Sequence, residues 1–76
     1  MITEKELIQV VADSLGVEPS LISIQSTTSD ITEWDSLGHI ALLQDIEKTF
    51  DGRYRDPSKL ASAVSIAELL KFLNET

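Results

Sequence analysis

The sequence predicts an all-α fold: a small four-helix bundle of three main helices and one short helix, with a long loop between helices one and two. Two observations predict this fold. Apolar residues recur at spacings of three and four in three separate segments, as they do on one face of an α-helix. Residue types that begin and end helices flank those segments. The chain has 76 residues, so we expect a single domain over positions 1–76 with one core.

The first helix is predicted over residues 4–15. Thr3 and Glu6 have the spacing of a capping box, in which each side chain accepts a hydrogen bond from the backbone N–H of the other residue. Gly16 ends the helix, because glycine tolerates the left-handed conformation that follows a last helical turn. Between these signals runs an apolar stripe, which consists of Leu7, Ile8, Val11 and Leu15.

Residues 17–34 are predicted to form a long ordered loop. A connection of this length is unusual in so small a domain, and such loops are commonly either functional or disordered. The polar run 26–29 is expected to be mobile. Six apolar residues allow the remainder of the loop to pack on the bundle, namely Val17, Leu21, Ile22, Ile24, Ile31 and Trp34.

The second helix is predicted to begin at Asp35-Ser36, with Asp35 as its N-cap, and to end at Asp51-Gly52. Its spacing of three, three, three and four indicates a stripe that faces the core. This stripe consists of Leu37, Ile40, Leu43, Ile46 and Phe50.

Two further helices are predicted in the last third of the chain. Asp56 followed by Pro57 indicates the start of a short helix, because proline is favoured at the first helical position. Ser65 and Glu68 form a second capping box. The stripe of the helix that follows consists of Ile66, Leu69, Leu70 and Leu73.

The composition excludes several classes of function. Thirteen acidic and six basic residues give a net charge of −7, which argues against nucleic acid and anionic membranes as partners. Because the chain has no cysteine and one histidine, we expect no disulfide, no thiol nucleophile and no metal site. The longest apolar run has four residues, Ile40-Ala41-Leu42-Leu43, too few for a membrane span. We therefore expect a cytoplasmic monomer whose partners are basic.

Ser36 is the residue whose position suggests chemistry. It follows the N-cap of a strongly periodic helix, where free backbone N–H groups and the positive end of the helix dipole favour an anion such as phosphate. Serine is also common at helix starts for purely structural reasons, so its position alone does not assign a function.

The string Trp34-Asp35-Ser36-Leu37-Gly38-His39-Ile40 resembles the attachment-site motif of acyl carrier proteins and related peptidyl carrier domains. The acidic composition, the chain length, the helix order and the long loop before the motif extend this resemblance over the whole chain. This form of the motif is more similar to specialised carriers of secondary metabolism, amino-acid transfer or surface-polysaccharide pathways than to the primary fatty-acid carrier.

The resemblance implies a carrier that is not itself an enzyme and has no catalytic residue. Ser36 would be joined through a phosphodiester to 4′-phosphopantetheine by a phosphopantetheinyl transferase, which uses coenzyme A and magnesium. Asp35 and Leu37 would help to present Ser36. The partners implied are this transferase and enzymes with basic docking surfaces that load and transfer acyl or aminoacyl groups. The implied partner-docking residues are Gly38, Ala41 and Asp45, and the candidates for an acyl pocket are Ile40, Leu43 and Ile46.

Four alternatives stay open at this point. Asp35, Ser36 and His39 contain the residue types of a hydrolytic triad, although an aspartate at the helix end would not orient the imidazole. His39 either contacts the phosphate or a partner, or is half-buried against the Val17–Ile31 loop, and Trp34 either docks a partner or anchors that loop. As a whole, the chain could instead be an acidic helical interaction module that shares the fold and has no prosthetic group.

Overall fold

A computed structural model describes residues 1–50 and 57–75 of the chain. Helix α1 spans Glu4–Leu15, α2 Ser36–Phe50, α3 Pro57–Ser62 and α4 Ile66–Leu73, with a short 3₁₀ turn at Pro19–Leu21. The predicted all-α, four-helix architecture is confirmed for this part of the chain. The predicted end of the second helix at Asp51-Gly52 and the predicted cap Asp56 lie outside the described residues. No helix in the described part of the chain combines the length and the hydrophobicity that a membrane span requires.

The predicted caps of α1 are present. Thr3 Oγ1 accepts a hydrogen bond from the Glu6 N–H at 3.1 Å, and Glu6 Oε1 accepts one from the Thr3 N–H at 3.1 Å. Gly16 ends the helix with a φ of 71°, the left-handed conformation that favours glycine. Local sequence signals therefore determine both ends of this helix.

The cap of α4 differs from the prediction in one bond. Ser65 Oγ accepts from the Glu68 N–H at 3.1 Å, as expected, but the Glu68 carboxylate accepts from the Val64 N–H at 2.8 Å. The reciprocal bond of a capping box thus reaches one residue further back than predicted. It holds the turn between α3 and α4 against the start of α4.

One hydrophobic core joins the helices to the long loop, and α1 and α2 form its largest helix–helix contact. The predicted stripes of α1 and α4 face this core, with Ile8 and Leu70 at its margin. Burial of a large aliphatic side chain contributes about 1.5–3 kcal/mol, so these stripes carry much of the stability of the domain. The buried residues of the two helices are Leu7, Val11, Ala12, Leu15, Ile66, Leu69 and Leu73.

The predicted core face of α2 is wrong at its N-terminal half. Leu37 and Ile40 are 78% and 55% exposed, whereas Leu42, Ile46 and Phe50 are the buried residues of this helix. The cause is helix geometry, because each residue turns the helix by about 100°. Leu37 precedes Ile46 by nine residues and therefore lies on the opposite side of α2. Residues spaced by three move steadily around the helix. Residues spaced by four back from Phe50, which are Ile46 and Leu42, remain on the side that faces the core.

The long loop packs against the core through most of its apolar residues. Ile22, Ile31 and Trp34 are buried in the core, and Val17 and Ile24 pack against it. The expectation that Leu21 would pack on the bundle is wrong, since its side chain is 72% exposed.

The polar run 26–29, which the sequence predicts to be mobile, is hydrogen-bonded to the turn before α4. The Thr28 N–H donates to the Val64 carbonyl at 2.9 Å, and the Ile66 N–H donates to the Ser26 carbonyl at 3.0 Å. Ser26 is buried, and its hydroxyl accepts from the Ser23 N–H at 3.0 Å. Backbone pairing across the bundle therefore holds a segment that its composition alone predicts to be loose.

Candidate functional site

Ser36 is the first residue of α2 and is exposed. Within the described ranges, its hydroxyl makes no hydrogen bond, and the N–H groups of Ser36 and Leu37 have no acceptor. A free hydroxyl and two free N–H groups thus meet at the positive end of a 15-residue helix. This is the setting that the sequence predicts for Ser36.

Asp35 caps α2, as predicted. Its Oδ1 accepts from the Gly38 N–H at 2.8 Å, and its carbonyl oxygen accepts from the His39 N–H at 2.8 Å. These bonds satisfy the next two donors of the helix and fix the backbone on either side of Ser36. Asp35 therefore positions Ser36 through the main chain.

A groove of about 320 Å³ opens beside Ser36. Its near wall is the start of α2, and its far wall is the end of α3 and the turn that follows it, together with Thr28 of the long loop. The far wall offers two hydroxyl groups and small apolar side chains. The far-wall residues are Thr28, Ala61, Ser62, Ala63 and Val64.

Trp34 and His39 form a linked pair at the base of this groove. The indole Nε1–H of Trp34 donates to His39 Nδ1 at 2.9 Å, and His39 Nε2 lies 3.0 Å from the Leu60 carbonyl oxygen. An indole N–H only donates and a carbonyl only accepts, so this arrangement requires the neutral imidazole with its proton on Nε2. His39 thereby joins the long loop to both α2 and α3.

These contacts decide between the alternatives for the two residues. Trp34 is 2% exposed, which fits an anchor for the loop and not a docking residue. His39 is half-buried, as the structural interpretation expects, but its bonds go to Trp34 and Leu60 and not to the Val17–Ile31 loop. Both ring nitrogens are occupied, so neither is free to contact a phosphate at Ser36.

The three residue types of a hydrolytic triad are near one another in sequence but are not linked. The Asp35 carboxylate bonds to the Gly38 N–H, and His39 bonds to Trp34 and Leu60. Neither side chain has a hydrogen bond to the Ser36 hydroxyl in the part of the chain that the structure describes. The arrangement therefore has no base positioned to activate Ser36.

Gly38, a predicted docking residue, has a packing role. It is half-buried, and a Cβ atom at this position would overlap the backbone oxygen of Glu33 and lie 3.1 Å from Leu15 Cδ2. The missing side chain lets the end of the loop cross close to α2. Gly38 therefore has a structural role in the contact between loop and helix, and its docking role stays a prediction.

Gly38→Ala should lower the free energy of unfolding by about 1–3 kcal/mol, the usual cost of overpacking. Helix propensity alone predicts the opposite sign, a gain of about 1 kcal/mol. Urea titration followed by circular dichroism measures the change. Gln44→Ala, which introduces the same residue on the exposed face of α2, should shift stability by less than about 0.5 kcal/mol. An unchanged or increased stability of Gly38→Ala would contradict the close approach.

The other two predicted docking residues differ from each other. Ala41 is exposed, as a docking residue must be. Asp45 is half-buried, and its carboxylate accepts a hydrogen bond from the Ser14 hydroxyl of α1. Asp45 therefore joins α1 to α2, and its carboxylate is already engaged within the domain.

The three acyl-pocket candidates do not surround one internal space. Ile40 is exposed, Leu43 is partly buried at the margin of the core, and Ile46 is fully buried. The prediction is wrong for Ile40, for the same reason of helix geometry that misplaced the core stripe.

Sequence reasoning missed the far wall of the groove. Ala61, Ser62 and Val64 are 25 or more positions from Ser36, and backbone pairing of residues 26–28 with 64–66 brings their segment to the site. No motif or periodicity marks these residues, because pairing between distant segments leaves no local pattern.

No protein-family model, curated protein or solved structure matches this chain.

Proposed function

We propose that this chain is a carrier protein that holds acyl or aminoacyl groups as thioesters on a 4′-phosphopantetheine arm attached to Ser36. One observation carries the proposal: Ser36 is exposed, unbonded and positioned by Asp35 at the start of α2, inside a motif that resembles the attachment site of such carriers. The chain would itself be the substrate of a transferase and would present its cargo to other enzymes. The form of the motif favours a specialised carrier over the primary fatty-acid carrier.

The residues around Ser36 fit this prosthetic group. A phosphodiester on the Ser36 hydroxyl would lie beside the free N–H groups of Ser36 and Leu37, which favour an anion. The groove of about 320 Å³ begins at the same residue, and its hydroxyl and small apolar side chains suit a chain of amides and methylenes. When bound, the arm supplies the thiol that forms thioesters, which this chain without cysteine cannot supply.

In the attachment reaction, this chain would contribute only the Ser36 hydroxyl and its exposed position. Ser36 Oγ forms a bond to the phosphorus of coenzyme A that bears pantetheine, the diphosphate bond breaks, and adenosine 3′,5′-bisphosphate leaves. The hydroxyl proton passes to a base of the transferase, because no side chain described here is positioned to take it. Asp35 and the rest of the cap hold Ser36 at the surface, where a second protein can reach it.

The distribution of charge supports an enzyme partner with basic groups near Ser36. Nine acidic and two basic residues lie in positions 1–50, so this segment carries the full net charge of −7. Ser36 belongs to this half of the chain. The acidic field would attract a basic docking surface and speed its approach.

Incubation with coenzyme A, magnesium and a phosphopantetheinyl transferase of broad specificity should add one phosphopantetheine to the wild-type chain. Ser36→Ala should gain no mass, because it has no oxygen to accept the group. Ser20→Ala removes a hydroxyl that is also exposed but does not line the groove, so it should be modified like the wild type and is the matched control. Intact-mass spectrometry measures all three.

An unmodified wild-type chain, or a Ser36→Ala variant that gains the same mass, would refute the proposal. The first result would favour the alternative of an acidic interaction module without an arm. The intact mass of the protein isolated from its native cells would decide between the two in the same way.

A further inference from the structure

His39 holds three segments of the chain together through hydrogen bonds that require one protonation state. Its Nδ1 accepts from the indole N–H of Trp34 at 2.9 Å, and its Nε2 lies 3.0 Å from the Leu60 carbonyl oxygen. Trp34 belongs to the end of the long loop, His39 to α2 and Leu60 to α3. Only the neutral imidazole with its proton on Nε2 makes both bonds. We name these three residues the Trp–His link.

Proton uptake at His39 breaks one bond of the Trp–His link. An imidazolium carries a hydrogen on each nitrogen, so its Nδ1–H would face the indole N–H, and neither group accepts. Turning the ring over does not restore the bond, because an imidazolium has no acceptor nitrogen. The indole offers no compensating attraction, since a cation is attracted to the face of the ring and its N–H edge is positive. The indole N–H of Trp34, a residue 2% exposed, thus loses its acceptor, and a buried donor without an acceptor is destabilising.

Charged side chains around the Trp–His link do not offset this loss. Among the described residues, Asp35 is the one charged residue that lines the groove with His39, and its exposed carboxylate accepts from the Gly38 N–H. Glu33 of the loop is exposed. Because water and salt screen exposed charges, these acids favour an imidazolium less than the direct contact at 2.9 Å opposes it. Other charged groups of the loop, α3 and α4 bond elsewhere: Asp30 to Thr27, Lys59 to Glu75 and Glu68 to Val64.

We infer that the Trp–His link is acid-sensitive: proton uptake at His39 breaks its bond to Trp34 and loosens the end of the long loop from α2 and α3. The range concerned is between about pH 5 and 8, in which histidine side chains take up a proton. The folded chain breaks a bond to bind this proton and the unfolded chain does not, so the unfolded chain binds more protons. Stability therefore falls as the pH falls. Trp34 lies two residues before Ser36, and the loosening would reach the candidate site, but the inference does not depend on the proposed function.

The first test measures the unfolding equilibrium constant at about pH 7.5 and about pH 5.5, by urea titration followed by circular dichroism. In the wild type the constant should rise about fivefold to tenfold at the lower pH, because one further proton on the unfolded chain changes it by at most about tenfold per pH unit. His39→Gln has an amide that accepts and donates but does not titrate, so its constant should change by less than about twofold. Trp34→Phe keeps His39 and removes the indole donor, and its constant should also change by less than about twofold.

The second test observes the bond itself by NMR. The chain has one histidine and one tryptophan, so each ring gives a single set of signals. In the folded wild type, the indole Nε1–H signal should move toward its position without a hydrogen bond, with the same pH midpoint as the ring nitrogens of His39. In His39→Gln the indole signal should stay fixed over this range.

An indole signal that does not follow the titration of His39 would overturn the inference. So would an unfolding constant that depends on pH equally in the wild type and in either variant, because the dependence would then arise outside the Trp–His link. None of these outcomes bears on attachment of an arm to Ser36, which the intact mass tests separately.

Discussion

Trp34→Ala should lower the free energy of unfolding by about 3–5 kcal/mol, the largest effect we expect from a single residue near the site. Trp34 is 2% exposed and fills the space between the long loop and the bundle. Removing the indole leaves a cavity and also takes away the donor to His39 Nδ1. Small domains have about 5–15 kcal/mol in total, so this variant should be unfolded at a much lower urea concentration.

Trp34→Phe separates the two contributions and guards against a variant that does not fold. It keeps an aromatic ring in the core and removes the hydrogen bond to His39, so a loss of about 1–3 kcal/mol is expected. Urea titration followed by circular dichroism measures both variants. A loss below about 1 kcal/mol for Trp34→Ala would show that the indole does not anchor the loop.

Phe50→Ala should cost about 3–5 kcal/mol for a similar reason. Phe50 is 1% exposed and is the last described residue of α2, where it packs in the common core. Its aromatic ring buries more apolar surface than most core side chains, and the surrounding helices refill such a space only in part.

Leu37→Ala is the matched contrast to Phe50→Ala. The sequence pattern placed both residues on one core stripe, but Leu37 is 78% exposed. The substitution should therefore change stability by less than about 0.5 kcal/mol. The same denaturant titration applies, and equal losses at the two positions would mean that α2 is rotated relative to the orientation described here.

The packing around Trp34 also bears on the proposed function. A carrier needs a rigid position for its attachment residue and a surface that several enzymes can recognise. Asp35 fixes the start of α2, Gly38 lets the loop cross closely, and His39 joins α2 to the Leu60 carbonyl of α3. These contacts fix the backbone around Ser36 to the rest of the domain and leave its hydroxyl exposed to solvent.

Both ends of α1 and the start of α4 could be predicted because local chemistry determines them. Thr3, Gly16 and Ser65 act through hydrogen bonds or dihedral angles that involve residues at most four positions away. The N-cap role of Asp35, and with it the exposed position of Ser36, was predictable on the same grounds. For α2, the sequence also held the information for the correct face, which follows from counting turns back from Phe50.

Other features have no local signal. The groove beside Ser36 exists because residues 26–28 pair with 64–66, and the role of His39 depends on the position of Leu60. In the sequence, Gly38 resembles any small helical residue, and only the structure shows how closely Glu33 and Leu15 approach it. In the sequence, Asp45 resembles a surface acid, and only the structure shows its hydrogen bond with the Ser14 hydroxyl of α1.

Local sequence signals predict the helices, the caps, the acidic half of the chain and the position of Ser36 at a helix start. Each of these depends on interactions within a few residues or on simple composition. Tertiary contacts alone establish what the far wall of the groove is and which residues of other segments His39, Gly38 and Asp45 contact. Those features depend on contacts between segments far apart in the chain, and composition and periodicity do not encode which segments meet.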